Sequence, residues 1–446
     1  MKPHRLEPGF CTESEHGLKV AKISSQLRAH TSERPLAIRK KSVSHEVPRA
    51  VDSKYTDEPL DLSDLDRILE INTEERTCTA ESGVTFIDLV RAALPHGLVP
   101  FVVPELKTIT IGGAVAGCSI ESMSYKYGGF HDSCLEYEVV TANGEILTCS
   151  ESENQLLFQM THGTFGTLGI LTKLKFKLTP AKPFVRLKYE KYKTLDDYTA
   201  AIWKHYKDRD IDFMDGIIHS PNLYVLSAGQ FTGEAPYTGN YNWTAVYYQS
   251  TASREEDYLT TEDYFFRYDR GVTNVHPKSW LGRFLLGRFF GSEQLLGFAS
   301  KIHRFLPAKK PAVTVDVFIP FSRIKEFMEW YRLEFDFFPL WVVPYKRVRD
   351  YEWISPEVFK KNPGEELFID LAIYGMEQKG EKNYYRAMEE ELMKIGALKT
   401  LISYNYYSEE EFWKTWNHDN YSVLKQKTDP HNIFRDLYTK TCRRDL

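Results

Sequence analysis

The stretch that decides the fold is TIGGAVAGCSIESMSYKYGGF, from Thr110 to Phe130. Its glycines Gly112, Gly113 and Gly117 lie close together, and small hydroxyl residues follow them. Because glycine has no Cβ, such a run lets backbone N–H groups approach an anion or a flat ring. A turn or a tight packing site uses the same residues, so this segment needs further signals before it indicates a ligand.

Two further segments supply those signals. The sequence HGTFGTLG, from His162 to Gly169, comes directly before a strand-like run. The sequence IRKKSVSH, from Ile38 to His45, places Lys40 and Lys41 before two hydroxyls and a histidine. Basic side chains, hydroxyls and backbone N–H groups together suit a pyrophosphate. The order and spacing of the three segments therefore favour a pyrophosphate-containing ligand, although the glycines do not have the GxGxxG spacing of a Rossmann fold.

Composition limits the class of protein. The 446 residues include 57 Lys and Arg against 62 Asp and Glu, so nucleic-acid binding is not expected. The six cysteines form no CxxC pair, which predicts reduced thiols in a cytoplasmic protein and no metal site. The sequence shows no signal-peptide core and no apolar run long enough for a transmembrane helix. An aromatic content of 14% favours a bulky apolar ligand.

The pattern of elements predicts an α+β fold. Short strands alternate irregularly with short helices, which differs from the regular βαβ order of a doubly wound sheet. Thr85 is predicted to cap a helix, because Asp88 follows three residues later and apolar residues then share one face. Asn143-Gly144 is typical of a hairpin turn between two strands. Changes in composition divide the protein into residues 1–181, 182–400 and 401–446.

Residues 34–180 resemble the FAD-binding domain of the vanillyl-alcohol-oxidase/p-cresol-methylhydroxylase (PCMH) superfamily. In that superfamily a pyrophosphate loop is followed by a Gly-Gly segment and later by a glycine-rich stretch that enters a strand. Within it, the protein is similar to the delta-24 sterol reductases, and the similarity continues over nearly its whole length. The phrases that carry it are VPELKTITIGG, CSIESMSYKYGGF, GTLG, TPAKPFVRLKY, PLWVVP, LFIDLAIYG and YYSEEEFW.

The resemblance implies a PCMH-type two-part FAD-binding domain over residues 1–181 and a mixed α/β cap, or substrate, domain over residues 182–400. Residues 401–446 would return to the flavin site. We expect noncovalent FAD, because the SVSHEVP context of His45 lacks the Gly-Gly-His pattern of members that tether the cofactor. The residues expected to bind FAD are Arg39, Lys41, Ser42, Ser44, His45, Thr110, Gly112, Gly113, Gly117, Ser119, Ile120, Glu121, Ser122, Gly163, Thr164, Gly166, Thr167, Gly169 and Ile170.

The resemblance also implies a reaction, the reduction of a carbon–carbon double bond in the tail of a sterol or related isoprenoid lipid, with NADPH as electron donor. An isolated alkene has no carbonyl to polarise it, so hydride delivery needs an acid that keeps its proton at neutral pH. A tyrosine does so by default, and a carboxyl does so when it is desolvated. The candidates are Tyr406, Tyr404, Glu121 and Tyr125, and Tyr406 is favoured because it stands on a predicted C-terminal strand.

Two other interpretations remain open. One is an FAD-dependent oxidase or dehydrogenase of an alcohol, a sugar or a polyprenyl-linked sugar, which needs a base instead of an acid. Eukaryotic sterol reductases begin with a membrane-spanning helix that this sequence is not expected to have, and this difference favours the oxidase. The other is a flavin-free binding protein that kept the fold.

The segment Ser279–Phe298 mixes Leu and Phe with arginines. This pattern is typical of an interfacial segment in peripheral contact with a membrane. It is somewhat more typical of a buried cap helix whose arginines extend to the surface. The oligomeric state is not predicted.

Overall fold

The computed structural model describes residues 9–42, 46–47, 56–241, 245–269 and 310–442. Three sequence predictions, on Ser44, His45 and Ser279–Phe298, lie outside the described residues. All six cysteines lie inside them and are free thiols. Among the described helices none is long and apolar enough to cross a membrane.

Helices and strands alternate irregularly, in agreement with the α+β class. The strands are β1 Leu36–Arg39, β2 Glu58–Asp61, β3 Ile68–Asn72, β4 Thr77–Glu81, β5 Leu98–Pro100, β6 Cys134–Val140, β7 Ile146–Ser150, β8 Ile170–Pro180, β9 Phe184–Tyr192, β10 Phe213–Ser220, β11 Leu223–Thr232, β12 Glu256–Thr260, β13 Val313–Pro320, β14 Leu340–Lys346, β15 Leu367–Met376 and β16 Leu398–Lys399. The α-helices are α1 Glu13–Arg28, α2 Phe86–Ala93, α3 Ile111–Ala116, α4 Ser124–Tyr127, α5 Gln155–Met160, α6 Leu195–Asp208, α7 Tyr247–Ser250, α8 Thr261–Phe265, α9 Ile324–Glu334, α10 Pro356–Lys361, α11 Tyr384–Ile395, α12 Glu409–Thr415, α13 His418–Thr428 and α14 Leu437–Thr441.

The N-terminal part is built on a sheet with strand order β3-β4-β8-β6-β7, to which β5 adds by pairing with β8. Strand β8 shows why the sheet forms here. Its residues Ile170, Leu174 and Phe176 are buried, and partly exposed Lys173 and Lys175 stand between them. This two-residue period places the apolar side chains on one face of the sheet.

The predicted helix after Thr85 is confirmed as α2. The Thr85 hydroxyl accepts a hydrogen bond from the backbone N–H of Asp88 and caps the helix. On the buried side, the ring of Phe86 packs edge-on against Phe130, with 5.0 Å between ring centroids. The helix thereby closes the core of the N-terminal part.

The middle of the protein, called the cap below, is built on an eight-stranded antiparallel sheet. Its strand order is β12-β9-β11-β10-β14-β15-β13-β16. Its outer face packs against helices α6, α9 and α11, with Ile369, Leu371 and Ile373 of β15 in that core. Its inner face meets the N-terminal part, where Ile217 and Trp341 join the N-terminal core. Each strand therefore contributes alternate residues to a helix-covered core and to the junction between the two parts.

The last forty residues pack on the N-terminal part. The buried ammonium of Lys425 on α13 donates to Asp429 Oδ2 at 2.6 Å and to the carbonyl of Thr167 at 3.0 Å. On α14, Lys440 donates to the carbonyl of Phe165 at 2.6 Å. Two cations from the last forty residues therefore hold the backbone of the glycine-rich segment His162–Gly169.

The strand expected around Tyr406 is wrong, because the ladder ends at β16 and residues 400–407 form turns and irregular backbone. The side-chain amide of Asn405 donates to the carbonyls of Leu401, Ser403 and Thr441 at 2.9–3.1 Å, in place of a ladder partner. The backbone N–H of Tyr406 donates to the Glu389 carboxylate at 2.9 Å. Side chains therefore form the hydrogen bonds to backbone groups that a neighbouring strand would form in a sheet.

A buried ion pair in the cap gives a stability prediction. Lys399 and Glu389 are both fully buried, with 2.7 Å between Nζ and Oε1. We expect Lys399→Met to lower the free energy of unfolding by about 3–5 kcal/mol, because it leaves the Glu389 carboxylate buried without its cation. Lys414→Met is the matched control, since Lys414 pairs with Glu410 at the surface and its loss is expected to change stability by less than about 0.5 kcal/mol. Urea unfolding monitored by tryptophan fluorescence tests this, and equal midpoints for the two variants would contradict it.

Candidate functional site

The three segments singled out in the sequence are numbered here in chain order: the first is Ile38–His45, the second Thr110–Phe130 and the third His162–Gly169. Their described residues meet at one place in the structure. Strand β1 passes the third segment, where a Cβ built on Gly166 would lie 3.0 Å from Ile38 Cδ1. Gly166 has a φ of +72°, which favours glycine for a second reason. The second and third segments are joined by the hydrogen bond from the N–H of Phe165 to the carbonyl of Ala116, at 3.3 Å.

The first segment supplies a cation through Lys40. Its ammonium lies 3.5 Å from the Thr110 hydroxyl, the N-cap of α3, and 3.6 Å from a Cβ built on Gly113. Surrounding protein lowers the pKa of Lys40 by desolvation. Lys41, the residue expected from the sequence, instead pairs with Asp66 at 2.7 Å on an exposed surface. The structure therefore favours Lys40 over Lys41 as the basic residue of the site.

Two other described residues of the first segment, Arg39 and Ser42, differ in their exposure. Arg39 is exposed at the end of β1. The Ser42 hydroxyl is buried and has no hydrogen-bond partner among the described residues. An orphaned buried hydroxyl beside a phosphate-type loop is a donor available to a bound anion.

The second segment mixes packing and binding positions. Gly112 is a packing position, because a Cβ there would lie 2.7 Å from Ser82 Cβ. Gly117 and Ile120 line a cavity, described below. The carbonyl of Ser119 accepts the N–H of Phe130 at 3.0 Å, so this part of the segment is fixed by its own backbone.

In the third segment, the threonine hydroxyls donate hydrogen bonds to nearby backbone carbonyls. Thr164 donates to the carbonyl of Met160 and Thr167 to that of Thr164, both at 2.7 Å. Gly169 packs against Val139, and buried Ile170 begins strand β8. Of this segment, Gly163 and Phe165 line the cavity described below.

An apolar cavity opens where the second and third segments meet the cap. It encloses roughly 890 Å³ of empty space, a volume that includes the open mouth of the cavity. Its floor includes Gly117, Ile120 and Gly163, and its roof is formed by side chains of the inner cap face. The aromatic and aliphatic side chains of that roof are Phe318, Tyr345, Tyr351, Ile354 and Phe368.

A fully buried guanidinium connects the two parts. Arg267 Nη2 lies 2.8 Å from Glu121 Oε1 of the second segment and 2.8 Å from Asp215 Oδ2 of β10. Burial raises the pKa of Glu121, and the Arg267 charge opposes this. The other Glu121 oxygen accepts the N–H of Ser122 at 2.5 Å. Ser122 Oγ in turn accepts from the Tyr264 hydroxyl at 2.9 Å. Glu121 is thus bonded within the protein and suits a role in holding the segment in place.

Sequence reasoning missed a cluster of carboxyls at the same junction. Asp316 on β13 and Asp370 on β15 lie on the inner cap face, and both interact electrostatically with Glu105 of the N-terminal part. The Tyr374 hydroxyl donates to Asp316 Oδ1 at 2.5 Å. Desolvation raises the pKa of Glu105 to about 8 and that of Asp316 to about 6, and it raises the pKa of Asp370 strongly. A signal did exist, because VTVDVFIP and LFIDLAIY each carry one carboxyl in an apolar strand.

The tyrosines proposed as acids lie elsewhere. Tyr406 and Tyr404 pack against Tyr385 with ring centroids 6.0 and 5.5 Å away, on the helix-covered side of the cap. Tyr125 is fully buried in the same core, and its hydroxyl donates to the carbonyl of Ile211. Of the four candidates, Glu121 and Tyr125 both lie where the N-terminal part meets the cap, and Glu121 is the one bonded to Arg267.

Comparison with known proteins agrees with this geometry. Residues 19–150 match the family model described as an FAD binding domain. Delta(24)-sterol reductase of Homo sapiens is 26% identical over 84% of this chain and 76% of its own length. Delta(24)-sterol reductase of Arabidopsis thaliana is 25% identical over 96% of this chain and 85% of its own. Cytokinin dehydrogenase 5 of Arabidopsis thaliana is 26% identical over 33% of this chain and 28% of its own length.

These matches identify the class: the protein is an FAD-dependent oxidoreductase with a PCMH-type FAD-binding domain. Within that class it is similar to the delta(24)-sterol reductases over most of its length, as the sequence phrases predicted. The residues fit FAD. Lys40 supplies a cation, the orphaned Ser42 hydroxyl supplies a hydrogen-bond donor, and the glycine-lined wall lets a ligand approach the backbone closely. Noncovalent attachment stays a prediction.

The adjacent lysines give a matched test of the phosphate site. We expect Lys40→Met to weaken FAD binding about 10- to 100-fold, because a hydrogen bond to a charged group contributes about 1.5–3 kcal/mol. Lys41→Met is the control and is expected to change the Kd less than about threefold, as its charge is already paired at the surface. Titration of the apoprotein with FAD, followed by flavin fluorescence, measures both. A larger effect at Lys41 would support the original sequence assignment.

Proposed function

We propose that this enzyme reduces a carbon–carbon double bond in the tail of a sterol or related isoprenoid lipid, with NADPH as the electron donor. The observation that carries the proposal is the apolar cavity, which meets the FAD-binding segments on one side and buried carboxyls with raised pKa values near the other. The extent of similarity to the delta(24)-sterol reductases supports the same reaction.

The cavity walls suit an apolar substrate. Phe318, Tyr345 and Phe368 come from neighbouring strands of the inner cap face, and Trp353 and Ile354 enclose the side. Burying an aliphatic group here contributes about 25 cal/mol for each Å² removed from water. A polyol or sugar would leave hydroxyls unpaired against these walls, which costs free energy. The walls therefore favour the reductase over an oxidase of sugars.

The cofactor, the cavity and the junction carboxyls would each have a separate role in the reaction. FAD, when bound, supplies hydride chemistry. The cavity excludes water from the alkene, and the cap residues orient it against the FAD-binding segments. Burial raises the pKa of the junction carboxyls Glu105 and Asp370 and so favours their protonated forms, as a reduction needs, whereas an alcohol oxidation would need a base that is already ionised. Peripheral membrane contact through Ser279–Phe298 stays a prediction of the sequence.

An anaerobic absorption spectrum of the FAD-loaded protein tests the reaction directly. We expect NADPH to bleach the flavin band, and a sterol with an unsaturated tail to restore it with formation of the saturated product. The saturated sterol is the control and is expected to leave the bleached spectrum unchanged.

Two results would contradict the proposal. A protein that NADPH and unsaturated sterols leave unchanged, but that an alcohol or a sugar bleaches, is an oxidase or dehydrogenase. A colourless protein that binds no added FAD would overturn the assignment to flavoenzymes.

A further inference from the structure

We propose that Arg347 binds an anionic head group on the substrate, so that the enzyme acts on a sterol or isoprenoid lipid that carries a phosphate, sulfate or carboxylate. This inference rests on the proposed reduction of a double bond in such a lipid, and it narrows the substrate class. The observation that carries it is the charge of the apolar cavity. The guanidinium of Arg347 lines the cavity, whereas none of the described lining residues is Asp or Glu.

The cationic side chains of the cavity lining are Arg347 and Lys399. Lys399 is neutralised, because its ammonium lies 2.7 Å from Glu389 Oε1, and it also donates to the carbonyl of Tyr404 at 2.5 Å. Within the described part of the chain, the carboxylate partner of Arg347 is Asp350, with 3.5 Å between Nη1 and Oδ1. The Asp350 side chain is 72% exposed, and an ion pair of that kind contributes little. Arg347 therefore leaves a positive charge at the cavity wall.

The surroundings of Arg347 orient its guanidinium. The backbone N–H of Arg347 donates to the carbonyl of Glu366 at 2.8 Å, which extends the pairing of β14 with β15 by one residue. Its guanidinium carbon lies 4.9 Å from the ring centroid of Phe359 and 6.0 Å from that of Phe368, and both rings line the cavity. A guanidinium stacked on aromatic rings keeps its N–H edge for a ligand and can bind an oxyanion through two parallel hydrogen bonds.

Arg347 belongs to the roof of the cavity. The FAD-binding segments form the floor with Gly117, Ile120 and Gly163, whereas both ring contacts of Arg347 are with cap residues. An alkene that reacts at the floor leaves the opposite end of its lipid toward the roof. The apolar body of the lipid would then lie against the aromatic walls, and its head group would pair with Arg347. This pairing would determine which end of the lipid meets the cofactor.

Two other ligands suit this cation less well. A neutral lipid would leave a guanidinium in an apolar wall without an acceptor, which costs free energy. NADPH carries a pyrophosphate and a further phosphate, so it would need several cations, and the other lysine of the described lining, Lys399, is bonded to Glu389. One oxyanion on an apolar body matches one guanidinium in an apolar cavity.

Binding of matched lipid pairs to the oxidised, FAD-loaded protein tests the head group without turnover. The probes are farnesol against farnesyl monophosphate, and an unsaturated sterol against its sulfate ester, each below its micelle concentration in isothermal titration calorimetry. We expect each ester to bind about 10- to 100-fold more tightly than its alcohol, because charge-assisted hydrogen bonds are the strong ones. Inorganic phosphate alone should bind at least about 100-fold more weakly than farnesyl monophosphate, since it has no apolar body to bury.

Variants of the two neighbouring arginines assign the preference. Arg347→Met should reduce the affinity for each ester to that of its alcohol. Arg349→Met is the matched control, because Arg349 pairs with Glu151 at the surface and is not among the lining residues, so the preference should persist. Arg347→Lys keeps the charge without the planar fork and should retain part of the preference. If Arg347→Met is unstable, Arg347→Lys decides, and an unchanged ratio of the two Kd values would contradict the inference.

Steady-state kinetics separate binding of the head group from catalysis. In Arg347→Met, KM for the ester should rise by about the same factor as Kd, while kcat changes less than about threefold. The reason is that a contact at the end that does not react is equally strong in the ground state and the transition state. The Kd for FAD and the rate of flavin reduction by NADPH should be unchanged.

The failures of the two proposals are distinguishable. If neither member of any pair reoxidises the reduced, unaltered protein, the proposed reduction is wrong. If the lipids do reoxidise it, but each alcohol binds as tightly as its ester or Arg347→Met keeps the preference, then Arg347 is not the head-group site and the reduction itself stands. An Arg347→Met variant that loses FAD, or that NADPH reduces more slowly, would assign the cation to the cofactor or the electron donor and would also overturn the inference.

Discussion

The arrangement of the whole site depends on one buried cation, the guanidinium of Arg267. It is bonded to Glu121 in the second glycine segment and to Asp215 in the cap sheet, so it joins the two halves between which the ligand space lies. Removing a charge from water is costly unless several partners share it, and the hydroxyls of Tyr264 and Tyr268 complete this network through Ser122 and Asp215. A second contact, from the N–H of Met214 to the carbonyl of Ser122, fixes the same junction through backbone alone.

Side chains alternate between the two faces of the cap sheet, and each face has a different role. On β15, Ile369, Leu371 and Ile373 face the helices, whereas Asp370 and Tyr374 face the N-terminal part. A single strand thereby supplies both a hydrophobic core and a polar surface that is closed to bulk water. Desolvation raises the pKa of Asp316 to about 6 and raises that of Asp370 strongly, because both carboxyls lie on that inner surface.

Much of the N-terminal part could be predicted from sequence, because its signals are local. The cap at Thr85 and the glycine segments depend on residues a few positions apart. The choice between Lys40 and Lys41 could not be made, since neighbouring residues at a strand end point to opposite sides and a shift of one residue exchanges them. Glu105 was missed because the carboxyls that interact with it, on β13 and β15, are more than two hundred residues away in the sequence. Tyr406 failed as a strand residue because Asn405 and Glu389 satisfy the backbone around it.

The contacts of Lys425 and Lys440 have a consequence for biogenesis. Both cations bind carbonyls of the glycine-rich segment His162–Gly169, at positions 258 and 275 residues earlier in the sequence. During synthesis this loop emerges from the ribosome long before its supports exist. The loop can therefore reach its final form only after translation has passed α14. Flavin loading is in this respect a late event, and quality control of the nascent polypeptide must tolerate an unfinished nucleotide site for most of its synthesis.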